Sequence, residues 1–340
     1  MTNQSLIKQN ISKRSKGFLP NPKLDELISQ LKDRLEPLQK EQNKKFSAPE
    51  KPVILVFGSP RSGTTLLTQI LSSTGDFAYP SNFLTRFAFA PYFGAMFQQM
   101  LFNPEYDFGE EMSDIQSNSN FQSNLGKTKG ALGVNEFFHF WRKFFPNYEP
   151  GFLTNNDLLN VDIIRMRSEL AGIESVFGKP FVSKGKMMQF NSSFFSQRMP
   201  ELFFIHIKRD PLFVMQSVLL SRRKYYNTDR IWFSVKPKEY SWLSKLDVFK
   251  QIAGQIFFTE RAIEEELGHI ASHRKLTIHY ENLCEDPLNF YDKLGLALKR
   301  NNHSLSSCNL PEFFPSGNSL KVTNKEFNKL KTAYEKFSDH

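Results

Sequence analysis

At 340 residues the chain is long enough for one large domain or two small ones with a sizeable buried core, and 40% hydrophobic with 23% charged residues is an ordinary soluble composition. The net charge of +9 favours anionic partners, but nucleic acid, anionic lipid and anionic cofactors all satisfy it, so it selects none of them. No apolar stretch reaches the roughly 18–20 residues of a membrane span.

Residues 1–20 are polar, rich in Lys, Asn and Ser, and are expected to be mobile; they lack the apolar core of a secretory signal. Leu24, Leu27, Ile28, Leu31, Leu35 and Leu38 recur at helical spacing with a narrow stripe. That stripe predicts a helix packed on the main domain, with a short contact between copies, and hence a homo-oligomer, as the alternative. QKEQNKKFSAPEKP then reads as a polar linker, dividing a 1–46 extension from a domain over 47–340.

From residue 52 strands and helices alternate. PVILVFG is a continuous apolar run, as expected of a strand buried on both faces. GTTLLTQILSSTG predicts a helix closed by Gly75, and 83–102 a very aromatic helix despite Pro91. DLLNVDIIRMRSELAGIESVFG reads as one amphipathic helix. KPFVSK, ELFFIHIKR and KLTIHY are further strands, with helices near 211–224, 245–268, 287–299 and 324–337. The alternation predicts an α/β, three-layer, P-loop-like fold with a central, mostly parallel sheet flanked by helices. The 35 Phe residues, clustered at 83–108, 137–145, 190–204 and 313–314, are mostly core material, with some available to line a pocket. Cys284 and Cys308 form no CxxC pair, which predicts a reducing, cytoplasmic setting.

Gly58-Ser59-Pro60-Arg61-Ser62-Gly63-Thr64-Thr65 matches the phosphate-loop pattern G-x-x-x-x-G-K-[ST] except that Thr64 replaces the lysine. Successive loop amides and the following helix N-terminus still make an anion nest. What is lost is the ammonium that grips β- and γ-phosphates, and Arg61 offers a different cation. Such a loop suits a phosphate-like group without a triphosphate tail. A second strand–turn–helix string, ELFFIHIKRDPLFVMQSVLLSRRKYY, carries Arg209 at the strand end and Ser217 two turns into the helix. Two anion sites on one sheet edge suit a nucleotide phosphorylated at both ends.

These strings resemble the sulfotransferases that use 3′-phosphoadenosine 5′-phosphosulfate (PAPS). PRSGTTLL is similar to that family's loop for the 5′-phosphosulfate, and RDPLFVMQS to its 3′-phosphate segment, which implies roles for Arg209 and Ser217. IHYENLCEDP resembles a block whose Tyr, here Tyr280, lies near the adenine. KPFVSKGK resembles the strand whose lysine, here Lys184, lies near the transferred group. The resemblance runs in order over about residues 52–300. It implies PAPS as donor, PAP as product, no metal, no nucleic acid, and a glycan or small-molecule acceptor bearing a hydroxyl.

Two departures bear on mechanism. The phenol- and steroid-type enzymes carry Lys-Thr-His where this chain has Lys184-Gly185-Lys186, so their histidine base is absent. Their C-terminal Arg-Lys-Gly loop is not recognisable; FFPSGNSLKV (313–322), with Lys321, is the candidate replacement. The chain looks closer to the carbohydrate and bacterial type, which commonly uses a glutamate base. GVNEFFHFWRKFFP offers Glu136, with His139 in reserve, on one face if that segment is helical. Among Phe and Trp a carboxylate is expected to have a raised pKa, suiting it to act as a base.

Arg222, Arg223 and Lys224 are read as lying near the cofactor or an acidic acceptor, or as plain surface charge. Trp232 and Trp242 are read either as stacking on a ring acceptor or as packing. His269 and His273 sit i, i+4 if helical, but with no third ligand the reading is a solvated face. The rival functions are a magnesium-dependent P-loop kinase or NTPase, which the missing lysine opposes, and an inactive nucleotide-binding protein.

Overall fold

The computed structural model describes residues 12–109, 111, 121, 123–147 and 149–338. In chain order the main elements begin with α1 (Pro22–Asn43), β1 (Val53–Phe57), α2 (Thr64–Ser73) and α3 (Pro91–Phe102). A short hairpin, β2 (Ser123–Asn124) with β3 (Lys127–Thr128), precedes α4 (Phe138–Arg142) and α5 (Ile163–Phe177). Then come β4 (Phe181–Lys184), β5 (Leu202–Lys208), α6 (Pro211–Tyr226) and α7 (Val248–Gly268). The chain closes with β6 (Lys275–His279), α8 (Tyr280–Glu285), α9 (Pro287–Lys299) and α10 (Asn324–Ser338).

The expected α/β architecture is present. Four strands form a parallel sheet in the order β4-β1-β5-β6. Every residue of β1 is buried, because helices cover both faces of the sheet. Successive side chains point to opposite faces. Val53, Leu55 and Phe57 therefore join an aromatic cluster with Phe140 and Trp141, while Ile54 and Val56 pack with Leu67, Ile70 and Leu71 of α2. A separate cluster ties α6, α7 and α10 together through Val218, Ile256 and Leu330. With all strands parallel, the loops after β1, β4 and β5 open on one edge of the sheet.

Several local expectations change. The leucine stripe is a helix, but α1 runs on to Asn43, into the stretch read as linker. The cause is polar docking: Gln39 accepts from the Tyr92 amide at 3.0 Å, and Asn43 donates to the buried Glu169 at 3.4 Å. Residues 12–18, expected to be mobile, pack on α6: the Ser15 amide donates to the Tyr225 carbonyl at 2.8 Å. Residues 1–11 lie outside the described residues.

The aromatic helix at 83–102 is a 3-10 turn (Leu84–Phe87) followed by α3, with Pro91 at the first helical position, where its missing N–H costs nothing. The helix read from Asp157 to Gly178 is broken. Asp162 donates its amide to the Phe144 carbonyl (2.9 Å) and caps α5 through the Arg165 amide (3.1 Å). α7 ends at Gly268, and His273 sits in a 3-10 turn (Ser272–Arg274), so His269 and His273 share no helix face. No helix among the described residues is long and apolar enough to cross a membrane.

Candidate functional site

The loop between β1 and α2 is shaped by contacts that leave no room for side chains at its ends. A Cβ on Gly58 would lie 2.4 Å from Ser62 Oγ and 2.6 Å from the Ile207 carbonyl oxygen. One on Gly63, which sits at φ +107°, would lie 2.5 Å from the Tyr280 ring. Between them Arg61 adopts a left-handed φ of 74°, unusual for a side chain of its size. Two contacts hold it there: Arg61 Nε donates to Ser217 Oγ at 3.1 Å, and its carbonyl accepts from Arg209 at 3.0 Å. The two strand–turn–helix units recognised in the sequence are thus joined through Arg61.

Behind the loop, Ser59 donates its amide to Glu260 of α7 at 3.0 Å, and its hydroxyl donates to the same carboxylate. His206 Nε2 lies 2.9 Å from the second oxygen of Glu260. Burial pushes the Glu260 carboxyl up, but the bonds from His206 and Ser59 outweigh it and hold it below the usual range. Ser59 is therefore occupied by the scaffold rather than turned to the cavity. Ser62 Oγ is buried and has no hydrogen-bond partner.

At the ends of β1 and β4 a compact charged group forms. Lys184 Nζ, on a side chain only 1% exposed, donates to Thr65 Oγ1 at 2.7 Å and to Glu136 at 3.3 Å. Lys186 Nζ donates to the same Glu136 oxygen at 2.6 Å. Burial pulls Lys184 down to about 8, with Glu136 opposing. The expected raised pKa of Glu136 is not found: burial pushes it up, but Lys186 and Lys184 more than cancel this and hold it at about 2. Glu136 and His139 also do not share a face. Phe137 is left-handed (φ 55°), α4 starts only at Phe138, and His139 is an exposed residue that does not line the cavity. The hairpin turn covers this group, since a Cβ on Gly126 would sit 3.3 Å from Thr65 Oγ1.

On the neighbouring strand end, Arg209 bonds Asn318 at 2.8 Å and lies 4.4 Å over the Tyr280 ring. The Tyr280 hydroxyl accepts from the Gly317 amide at 2.9 Å. The 313–322 segment, the candidate replacement loop, thus meets Arg209 through Asn318 and Tyr280 through Gly317. Lys321 contributes its backbone amide to Gln216 at 2.6 Å, and its side chain is exposed. Burial and the nearby Arg209 charge lower the pKa of Arg61. So many cations converging at one place favour an anion there. A cavity of about 620 Å³ runs past Pro60, Arg61, Thr64, Thr65, Glu136 and Arg209 and on toward Tyr225.

Other expected candidates turn out to be structural. Arg222 is fully buried and bonds Gln251 at 2.9 Å, and Arg223 pairs with Glu326 at 2.6 Å. Trp232 donates to the Val235 carbonyl, and Trp242 packs on Phe258 and Phe337. Sequence reasoning missed Glu260 and gave Lys186 no role. Glu260 lies on the buried stripe of Ile256 and Ile263, where a carboxylate is out of place unless paired. Lys186 lies in the turn just past the end of β4, where no strand or helix spacing marks it out.

A family model described as the sulfotransferase family matches residues 52–299, and the chain belongs to that family. Its class is therefore that of enzymes transferring sulfonate groups. No curated protein sequence matches it. Among solved structures it is similar to sulfotransferase STF1 from Mycobacterium tuberculosis H37Rv, at 15% identity over 92% of this chain and 80% of that one, TM-score 0.48. It is also similar to sulfotransferase STF9 from Mycobacterium avium, at 13% identity over 83% and 67%, TM-score 0.47. A sulfotransferase from Alicyclobacillus acidocaldarius matches at 13% identity over 84% and 92%, TM-score 0.39.

Proposed function

We propose that the chain moves the sulfonate of PAPS onto the hydroxyl of a carbohydrate or other small alcohol, in line and without a metal, with Glu136 as the base. The observation that carries this reading is the contact of Lys184 with both Thr65 of the phosphate loop and Glu136. One ammonium links the group that would hold the leaving phosphate to the group that would take the proton.

The residues present fit the donor. Arg61, Thr64 and Thr65 line the cavity and, with the loop amides, supply donors for a 5′-phosphosulfate. Arg209, Ser217 and the 317–319 segment suit a 3′-phosphate, with Tyr280 beside them. When bound, PAPS supplies an activated sulfonate on a phosphate leaving group.

The chain's own residues do the rest. Arg61 and Lys184 offset charge on the sulfonate and the departing oxygen. Glu136 orients the acceptor hydroxyl and takes its proton. A carboxylate held near 2 is a weak base, yet Lys186 lines the cavity and Lys184 also bonds Thr65 of the loop. Once Lys184 turns to an anion it neutralises Glu136 less, and the carboxylate binds a proton more tightly. The base is in this way strengthened only when the donor site is filled.

Both cysteines are free thiols, which supports a cytoplasmic setting. We keep the division into a 1–46 extension and a catalytic domain over 47–340. The test is to add PAP, which is expected to raise the melting temperature, and then to follow labelled sulfonate from PAPS to an acceptor panel in EDTA. No thermal shift with PAP, or transfer that stops in EDTA, overturns the reading.

A further inference from the structure

Beyond the donor end, the cavity is walled by elements that the PAPS reading leaves unused. Residues 12–18 lie along α6: besides the Ser15 amide bond, Ser15 Oγ donates to the Lys224 carbonyl at 2.9 Å. Phe18 packs on Tyr225 with ring centroids 4.6 Å apart. Arg14 lies 5.6 Å from the Tyr225 ring centre, and Lys127 of the hairpin 4.8 Å from that of Phe18. Two cations from distant parts of the chain therefore flank one aromatic pair, and all four residues line the cavity.

Among the described residues Arg14 and Lys127 make no ion pair, and Arg14 Nε is buried without a hydrogen-bond partner. The carboxylates lining the cavity are engaged elsewhere: Glu136 with Lys184 and Lys186, Glu149 with Lys236. Burial and then the Arg14 charge lower the pKa of Lys127, as expected of like charges facing one another. Such a pair is favourable only when something anionic comes between.

That place is not the proposed 3′-phosphate site. Tyr225 is eight residues beyond Ser217 on α6, about 12 Å further along the helix. We propose that Arg14 and Lys127 form an anion subsite for the acceptor. The acceptor class is then a hydroxylated molecule bearing a second acidic group, a phosphate, sulfate or carboxylate. Its body packs on the ring faces of Phe18 and Tyr225, and the acidic group holds it so that a hydroxyl reaches Glu136. The N-terminal segment becomes a specificity element. This inference rests on the PAPS reading of the adjoining site.

The test uses the full chain saturated with PAP and titrated calorimetrically with inorganic phosphate, alongside the Arg14→Ala/Lys127→Ala variant. Wild type is expected to bind phosphate saturably, and the variant to lose about tenfold or more in phosphate affinity with PAP affinity unchanged. An Arg14→Lys variant, which keeps the charge, is expected to retain most of the binding. No saturable phosphate binding to the PAP complex overturns the subsite. So does undiminished binding in the double variant, which would put the ion at Lys184, and so does a loss of PAP affinity, which would assign the two cations to the donor. In a transfer assay on matched neutral and acidic alcohols, an equal preference for the two classes also overturns it. If PAP itself fails to bind, the donor reading fails instead.

Discussion

Lys184 and Glu136 meet at 3.3 Å, one at the end of a sheet strand, the other just before a short helix. Lys186 reaches the same carboxylate oxygen. In the proposed mechanism this pair sets the proton acceptor beside the loop, in a chain without the histidine of the phenol- and steroid-type enzymes.

Glu136→Gln removes the proposed base but keeps the side chain's size. Turnover of PAPS with any productive acceptor should fall by about 10²–10⁴-fold, while PAP still binds. Single-turnover transfer and PAP calorimetry on the same preparation check this. Near-normal turnover would remove Glu136 from the mechanism.

Lys184, at about 8, is set to lose its proton within an accessible range. A lysine that must be charged to work is active below its pKa, so kcat/KM for PAPS should decline as pH rises through about 8. Lys184→Arg, which stays charged, should lack this alkaline limb even if its maximum is lower. An unchanged limb in the arginine variant would assign the titration to another group.

Arg209 serves Asn318, the Arg61 carbonyl and the Tyr280 ring at once, a geometry that lysine cannot copy. Both Arg209→Ala and Arg209→Lys should weaken PAP binding by at least about tenfold, given the strength of charge-assisted bonds. Full recovery by lysine would show that only charge matters there.

Glu260 bears on stability and loop order together. Glu260→Ala strands the Ser59 amide and His206, at a cost of about 1–3 kcal/mol in urea unfolding. Because the folded pKa of Glu260 is lowered, its contribution is present above its unfolded pKa and fades as pH falls through the folded value. The wild-type advantage over the variant should therefore shrink in acid. PAP affinity should also drop, since the loop loses its anchor; a variant less stable yet equal in PAP affinity would reduce Glu260 to a packing role.

What the sequence determined by itself is the local part of this protein. Continuous apolar runs such as VILVF are strands because only burial on both faces tolerates them, and the glycines at 58 and 63 frame a loop that few other residues allow. Arg61, Arg209, Ser217, Tyr280 and Lys184 stand out in the sequence through their motifs, and the fold brings them to one edge of the sheet. The tertiary structure decided everything that depends on neighbours remote in the chain. The aromatic surroundings of Glu136 promised a raised pKa, but Lys184 and Lys186 lie 48 and 50 residues away and reverse its direction. Ser59 finds Glu260 across 201 residues, and Ser15 finds Lys224 across 209. Coulomb forces and buried hydrogen bonds act through space, so a carboxylate's charge state and a cavity's far wall exist only once the chain has folded.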